Sequence, residues 1–356
     1  MRLSEEQREL RSAVRSLLDH HRDASAWRPL TGQVGAAGLG IPEEYAGAGC
    51  GAVEVQVVME ELGRVLSPVP YLGSAVVAAQ ALLASGDGAA CARLLPGIAD
   101  GTAVATLAWA EAGSWDPAAI RCTAVPGPAA GWRLHGVKQY VLDGAEAGVL
   151  LVAARTGSGV GLFEVAPDDP GVRGEPCVTM DGTRALARLG FEGAEGRLIG
   201  AEGDGDRVLS RVLDLGCAAL AAEQVGAAGR CLELTVAYAA QRVQFGRPIG
   251  SFQAVKHRLA DAYVLVEAAR SAALGAAFAA ASGAPASSRY AAAAKSACSE
   301  AFSAVAGEMI QLHGGIGITW EHDAHRYFKR AHGSAQLFGT PAWHRRRLAA
   351  ELGLTS

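Results

Sequence analysis

The hydrophobic period of this chain changes twice along its length, and that change limits the fold more than any single motif. Up to about residue 103 the apolar residues recur at helical spacing. Leu10, Val14, Leu17 and Leu18 follow a Ser4-Glu5-Glu6-Gln7 start, in which the serine oxygen and the Gln7 side chain can satisfy the first free backbone donors. "VEVQVVMEELGRVL" and "SAVVAAQALLASG" continue the helical pattern, the second stopping at a glycine, and the Gly- and Pro-broken "AAGLGIPEEYAGAGCG" before them reads as a loop. From about residue 104 the texture becomes short apolar or alternating runs split by Gly, Pro and Asp: "AVATLAWAEAG", "WRLHGVKQYVL", "AGVLLVAART" and "GVGLFEVAP". These are strands of a small β-domain reaching to about residue 200.

Helical patterns return after "GDGDR". One runs from Ala218 to Ala240. A second runs from Gln253 to Ala281, with Val255, Leu259, Ala262, Val266, Ala269 and Ala273 on one stripe, and a third follows the turn "ASGAPASSR" and ends at "QLHGGIG". The expected fold class is therefore α+β, divided into a helical unit over 1–103, a β unit over 104–203 and a helical unit over 204–356. A ligand cleft is expected where they meet. No internal repeat of fixed period is present.

Half of the 356 residues are hydrophobic and 19% are charged, ample for a packed interior, and the net charge of -4 gives no electrostatic footprint for nucleic acid. The one basic run, Arg345-Arg346-Arg347, reads as a solvated helix face. Seven scattered cysteines, never spaced as CxxC, argue against a disulfide framework and against a zinc site. The charged N-terminus "MRLSEEQRELRSAVRSLL" is neither a signal peptide nor a membrane span, and no apolar run reaches the ~18 residues of a spanning helix. A cytoplasmic protein without a membrane partner is expected.

"QRVQFGRPIGSFQAVKHRLAD" is the most specific segment. A helix is expected to stop at Phe245-Gly246 and a new one to begin around 251–253. The planar fork of Arg242 could grip a pyrophosphate, Phe245 offers a flat apolar face, and Gln253 a two-way amide. An ordinary helix hairpin with a surface arginine fits the same residues. "QLHGGIG" is a helix end whose glycines let backbone amides approach an anion or a ring, although helix C-caps look alike. His322 and His325 invite a metal, but no third ligand of suitable spacing accompanies them, so no metal site is expected. No nucleophile elbow, Walker loop or strand-following G-x-G-x-x-G is present, which removes hydrolase and nucleoside-triphosphatase readings.

Taken in order, these segments resemble the acyl-CoA dehydrogenase family of flavoproteins over almost the whole chain. "GLGIPEEYAGAG" looks like the family's N-terminal loop, "AEAGSWDPAAIRCTA" like its flavin- and thioester-facing motif, and "GVKQYVL" like the strand behind the flavin. "RVQFGRPIGSFQAVKHRLAD" and "QLHGGIGITWEHDAHRYFKR" resemble its two C-terminal signatures. The resemblance implies an N-terminal helical domain, a β-barrel-like middle and a four-helix C-terminal bundle that mediates assembly. It implies FAD as cofactor, an acyl-CoA thioester as substrate, and electron-transfer flavoprotein as electron acceptor. Arg242, Phe245, Gln253, Gln311, Gly314 and Gly315 would hold the nucleotide end of a neighbouring subunit's FAD. Ser114, Tyr140, Gly339 and Thr340 would be further cofactor-binding positions, Tyr140 on the strand that backs the flavin.

Against that pattern "AHGSAQLFGTPAWHRR" is unusual. The family's glutamate base stands immediately before this Gly-Thr turn, where this chain has Phe338. A phenyl ring takes no proton, and general-base catalysis is worth ~10²–10⁴-fold. The alternative glutamate position, on the helix before the Arg242 motif, falls near Gly216-Cys217, with Asp214 the one close carboxylate. The family's Thr-Glu-Pro begins as Ala110-Glu111-Ala112, and its Trp-x-Thr appears as Tyr140-Val141-Leu142. The residues lost would serve this chain's own flavin; those kept would serve a neighbour's. The resemblance is therefore nearest to the paired subunits that actinobacteria use on CoA thioesters of steroid side chains, with this chain as the non-catalytic partner of a second acyl-CoA dehydrogenase-like subunit. A homomeric flavin-dependent oxygenase or oxidase of the same fold, and a self-sufficient dehydrogenase with another base, are the alternatives.

Overall fold

A computed structural model describes residues 2–128 and 131–354. Five helices come first: α1 (Glu5–His20), α2 (Trp27–Gly32), α3 (Ala52–Arg64), α4 (Ala79–Ser85) and α5 (Gly88–Ala99), with a wide turn Tyr71–Ala78 leading into α4. Helix α1 begins on the expected capping box: Gln7 N–H donates to the Ser4 hydroxyl and the Ser4 N–H to the Gln7 side chain. Its Val14 and Leu18 are buried, one helical turn apart. Gly86, at φ 70°, stops α4 where a side chain would be strained.

Seven strands follow: β1 (Ala105–Ala108), β2 (Thr123–Pro126), β3 (Trp132–Leu142), β4 (Val149–Thr156), β5 (Gly159–Val165), β6 (Val172–Pro176) and β7 (Leu186–Ile199). β2 pairs β3, β3 pairs β7, β7 pairs β5, β5 pairs β4, and β4 touches β2 at Thr123 and Arg155, so five strands close on themselves. β1 adds to β4 and β6 to β7 outside the ring. The interior is filled by Leu134, Val152, Phe163, Leu189, Phe191 and their neighbours. The expected barrel-like middle is thus a closed small barrel. Strand β7 has no counterpart among the four runs singled out in the sequence, because Gly and Glu interrupt its alternation.

The helices after the barrel are α6 (Gly205–Gln241), α7 (Gln253–Ala281), α8 (Ser287–His313), α9 (Ala324–Gln336) and α10 (Pro341–Glu351). α6, α7 and α8 pack on one another, α9 runs along α8 and α6, and α10 lies on α8. α6 begins thirteen residues before the Ala-rich stretch at Ala218, since its first turns carry charge between buried Val208, Leu209, Val212 and Leu213. α7 is long and apolar enough to cross a membrane by length and composition, contrary to the reading that no stretch reaches that length. It is instead a packed helix whose Ala262, Val266, Ala269 and Ala273 are buried, while Val255 and Leu259 of the expected stripe are half-buried near its start.

α3 crosses α6 backbone to backbone. A Cβ on Gly226 would lie 1.8 Å from the Glu60 carbonyl oxygen, and one on Gly63 would lie 2.0 Å from that of Glu223. Only glycine permits that approach. It fixes the N-terminal helices on the bundle and sets the position of the turn Tyr71–Ala78 above the barrel.

Candidate active site and cofactor-facing surfaces

The loop between α9 and α10 carries Phe338 at φ 60° and Gly339 at φ 101°. Three groups hold it, all through backbone or cap contacts. Lys295 of α8, fully buried, donates to the carbonyls of Ala335 and Gly339 and to the Ser299 hydroxyl. The Thr340 hydroxyl caps α10 by accepting from the Trp343 N–H. His344 Nε2 donates to the Phe338 carbonyl at 2.9 Å. Burial pushes the Lys295 ammonium down to about 8.

His344 is therefore neutral. Its Nδ1 is buried with no partner among the described residues, so a second proton would be stranded there. Burial, only partly offset by the bond to Phe338, holds the imidazole down to about 3. The unfolded chain binds this proton from about pH 6.5 downward while the folded chain refuses it until about pH 3, so stability falls with pH across that window. Unfolding free energy measured at pH 6.5 and 5.5 will drop by about 1 kcal/mol more in the native chain than in His344→Gln. Equal drops would mean that the imidazole is not held neutral.

With its backbone so held, Phe338 turns inward and is 0% exposed. Its ring stacks on Trp109 at 5.6 Å and meets Trp115 edge-on at 5.2 Å. Its edge lies against α6, where a Cβ on Gly216 would come within 3.2 Å of the ring. The two sequence positions considered for a base, 338 and 216–217, thus meet in space, and neither carries a carboxylate. Asp214 points elsewhere: it accepts from Arg347 of α10 at 2.5 Å, and burial raises its carboxyl above the ordinary range. Sequence reading missed Trp109, Lys295 and His344. The signal for Lys295 was a lone cation inside "AAAAKSAC".

In front of Trp115 opens a cleft of about 550 Å³ between the barrel and the α9–α10 loop. Ser114, Trp115 and Tyr140 line the barrel side, and Gly339, Thr340 and Trp343 the other. Tyr140 sits at φ 54° on an irregularity of β3, 40% exposed, 6.4 Å from Trp115. Glu111 holds the turn behind it: its carboxylate accepts from the Arg121 and Cys122 N–H groups and, at 2.5 Å, from Lys138 Nζ. The Leu142 side chain is buried in the core, and its carbonyl accepts from the Thr106 hydroxyl. Below the cleft Arg184 and Arg330 converge on the buried Glu223.

A second surface lies where the C-terminal ends of α6 and α8 come together, tied by Tyr238, which stacks on His313 at 4.3 Å and donates to its carbonyl. Arg242, Gln253, Gln311, Gly314 and Gly315 are all exposed there. α6 ends at Gln241, earlier than the expected stop at Phe245-Gly246, because Val243–Gln244 and Arg247–Pro248 pair as a hairpin. Phe245 is its tip, 93% exposed at φ 53°. His322 and His325 have separate neighbours, His313 and Trp320. Among the described residues no three His, Cys, Asp or Glu side chains converge as a metal site would require.

Residues 4–102 match the acyl-CoA dehydrogenase N-terminal domain and residues 203–353 the acyl-CoA dehydrogenase C-terminal domain. The acyl-CoA dehydrogenase IpdE2 of Mycobacterium tuberculosis is 44% identical over 343 residues, covering 96% of this chain and 91% of that protein. Among solved structures, a chain of the Tcur3481-Tcur3483 steroid ACAD G363A variant superposes with a TM-score of 0.89 at 36% identity, covering 98% of each chain. A chain of the ChsE4-ChsE5 complex from Mycobacterium tuberculosis superposes with a TM-score of 0.89 at 31% identity, covering 100% of this chain and 99% of that one.

Proposed function

This chain belongs to the acyl-CoA dehydrogenase family, and we propose that it works there as the non-catalytic subunit of a heteromer, completing on its surface the FAD site of a partner that carries the glutamate base. One observation carries the reading: the ring of Phe338 fills the point where both base positions meet, while Arg242, Phe245 and Gln253 stand exposed on another face. An exposed guanidinium and a phenyl ring open to water are what a dinucleotide covers. The residues therefore fit the nucleotide end of FAD, with Gln311, Gly314 and Gly315 beside them.

FAD, when bound, supplies the acceptor for the hydride that leaves the β-carbon of an acyl-CoA thioester, and electron-transfer flavoprotein would then take the electrons. This chain's residues bind and orient. Arg242 neutralises pyrophosphate charge, Phe245 covers an apolar face, and Gln253 and Gln311 offer amide bonds. No group at position 338 or 216 takes the α-proton, and we assign no base role to Asp214. The partnership follows from a site built across an interface, where one subunit can keep half the binding surface and lose the other half. The chain's similarity to a chain of the Tcur3481-Tcur3483 steroid ACAD supports a bulky, steroid-derived acyl group on the partner's side.

The open cleft at Tyr140 favours one second reading, in which the chain binds its own flavin and uses chemistry that needs no α-proton base. Flavin absorbance per chain separates the two. The protein purified alone will carry little flavin, and coexpression with its acyl-CoA dehydrogenase-like neighbour will yield about one FAD per pair of unlike chains. One FAD per chain in the protein alone would favour the second reading, and acyl-CoA turnover by the chain alone would defeat the heteromer.

A further inference from the structure

Two stretches far apart in sequence supply the second surface: Arg242, just past the end of α6, and Gln311, Gly314 and Gly315 at the end of α8. Tyr238 is bonded to both. Its carbonyl accepts from the Arg242 N–H at 2.8 Å, one helical turn on. Its hydroxyl donates to the carbonyl of His313, which stands two residues after Gln311 and directly before Gly314. That carbonyl belongs to the last turn of α8, whose carbonyls have no partner inside the helix.

The His313 ring is pinned as well. It is 3% exposed, and its Nδ1–H donates to the Met309 carbonyl at 2.7 Å. Tyr238 stacks on it at 4.3 Å, and His322 lies against it, also at 4.3 Å. His322 in turn accepts from the Ala324 N–H, at the first residue of α9. A run of three rings therefore joins the ends of α6 and α8 to the start of α9. Gly314 and Gly315, both exposed, follow directly from its central residue.

We propose that Tyr238 is a positioning residue of the cofactor surface. Through His313 it holds Gln311, Gly314 and Gly315 at a fixed spacing from Arg242, so that one dinucleotide engages both stretches at once. Contacts ordered before binding spare the cost of ordering them afterwards. The inference rests on reading this surface as an FAD half-site and adds the residue that sets its spacing.

The test begins with amide hydrogen exchange of the isolated full-length chain, read on peptides covering residues 314–319. Tyr238→Phe keeps the stack and loses the hydroxyl, so exchange there will quicken about 2–10-fold. Tyr238→Leu loses both contacts, and exchange will quicken about 10–100-fold. Residues 208–220, in the first half of α6, will be unaffected in both variants. The second measurement is FAD affinity of the coexpressed heteromer. Gln311→Ala and Tyr238→Leu will each weaken FAD about tenfold, the worth of roughly one hydrogen bond. Combined, they will cost less than twofold more than either alone, because Gln311 without Tyr238 is already out of place. Unchanged exchange at 314–319, equal quickening at 208–220, or additive losses of FAD affinity would each overturn the positioning role. A Tyr238→Leu heteromer that keeps full FAD affinity while Arg242→Ala loses it would sink this inference alone. Full affinity in both variants would sink the half-site reading and this inference with it.

Discussion

Phe338→Ala will lower the unfolding free energy of the chain by about 3–5 kcal/mol, seen as a fall in the urea midpoint without a change in slope. The ring is fully buried, stacked on Trp109, edge-on to Trp115 and packed against Gly216, so its removal leaves a cavity with aromatic walls. Each aromatic pair adds about 0.5–1.5 kcal/mol beyond area burial. The loop that presents the ring is tied by Lys295 and His344 through carbonyl oxygens, so it has little freedom to collapse into the gap. Phe338→Leu, which keeps most of the volume, will cost less than half as much. A loss below about 1 kcal/mol for the alanine variant would mean that position 338 is not part of the core. Phe338→Glu places a carboxylate between two indoles, and desolvation will hold it protonated well above the ordinary carboxyl range.

Arg242→Ala has its largest effect where the chain's own stability is untouched. The side chain is exposed and follows the last residue of α6, so the unfolding midpoint of the isolated chain will stay within experimental error. In the coexpressed heteromer the same change removes a charge-assisted bond to a pyrophosphate, worth about 1.5–3 kcal/mol, and FAD will bind about 10–150-fold more weakly. Fluorescence of released flavin on serial dilution reads this directly. Arg242→Lys will recover only part of the affinity, because an ammonium lacks the planar fork. An unchanged affinity in the alanine variant would remove Arg242 from the cofactor surface and with it the half-site reading.

The fold was legible because its signals are periodic. The switch from helical spacing to short strands near 104 and back after 204 is visible residue by residue, and α7 spans Gln253–Ala281 as its pattern predicts. What stayed hidden depends on contacts distant in sequence. β7 is held by three partner strands and by the barrel interior, which tolerate glycines and glutamates that spoil its alternation. The hairpin after α6 forms because Val243 and Gln244 find Arg247 and Pro248, a pairing that no helical periodicity announces. At the site, the sequence marked Phe338 and Gly216 as two separate oddities 122 residues apart. That they touch, with a buried lysine and a neutral histidine behind them, is a property of three dimensions.

The backbone clasp around the α9–α10 turn has one more consequence. Lys295 and His344 grip main-chain oxygens, which every amino acid possesses, so their hold on the turn does not depend on which side chain position 338 carries. In a duplicated gene, a single codon change at that position would disarm one copy while sparing its architecture. The disarmed copy would then depend on the other for chemistry while still offering it the surface for the cofactor's far end.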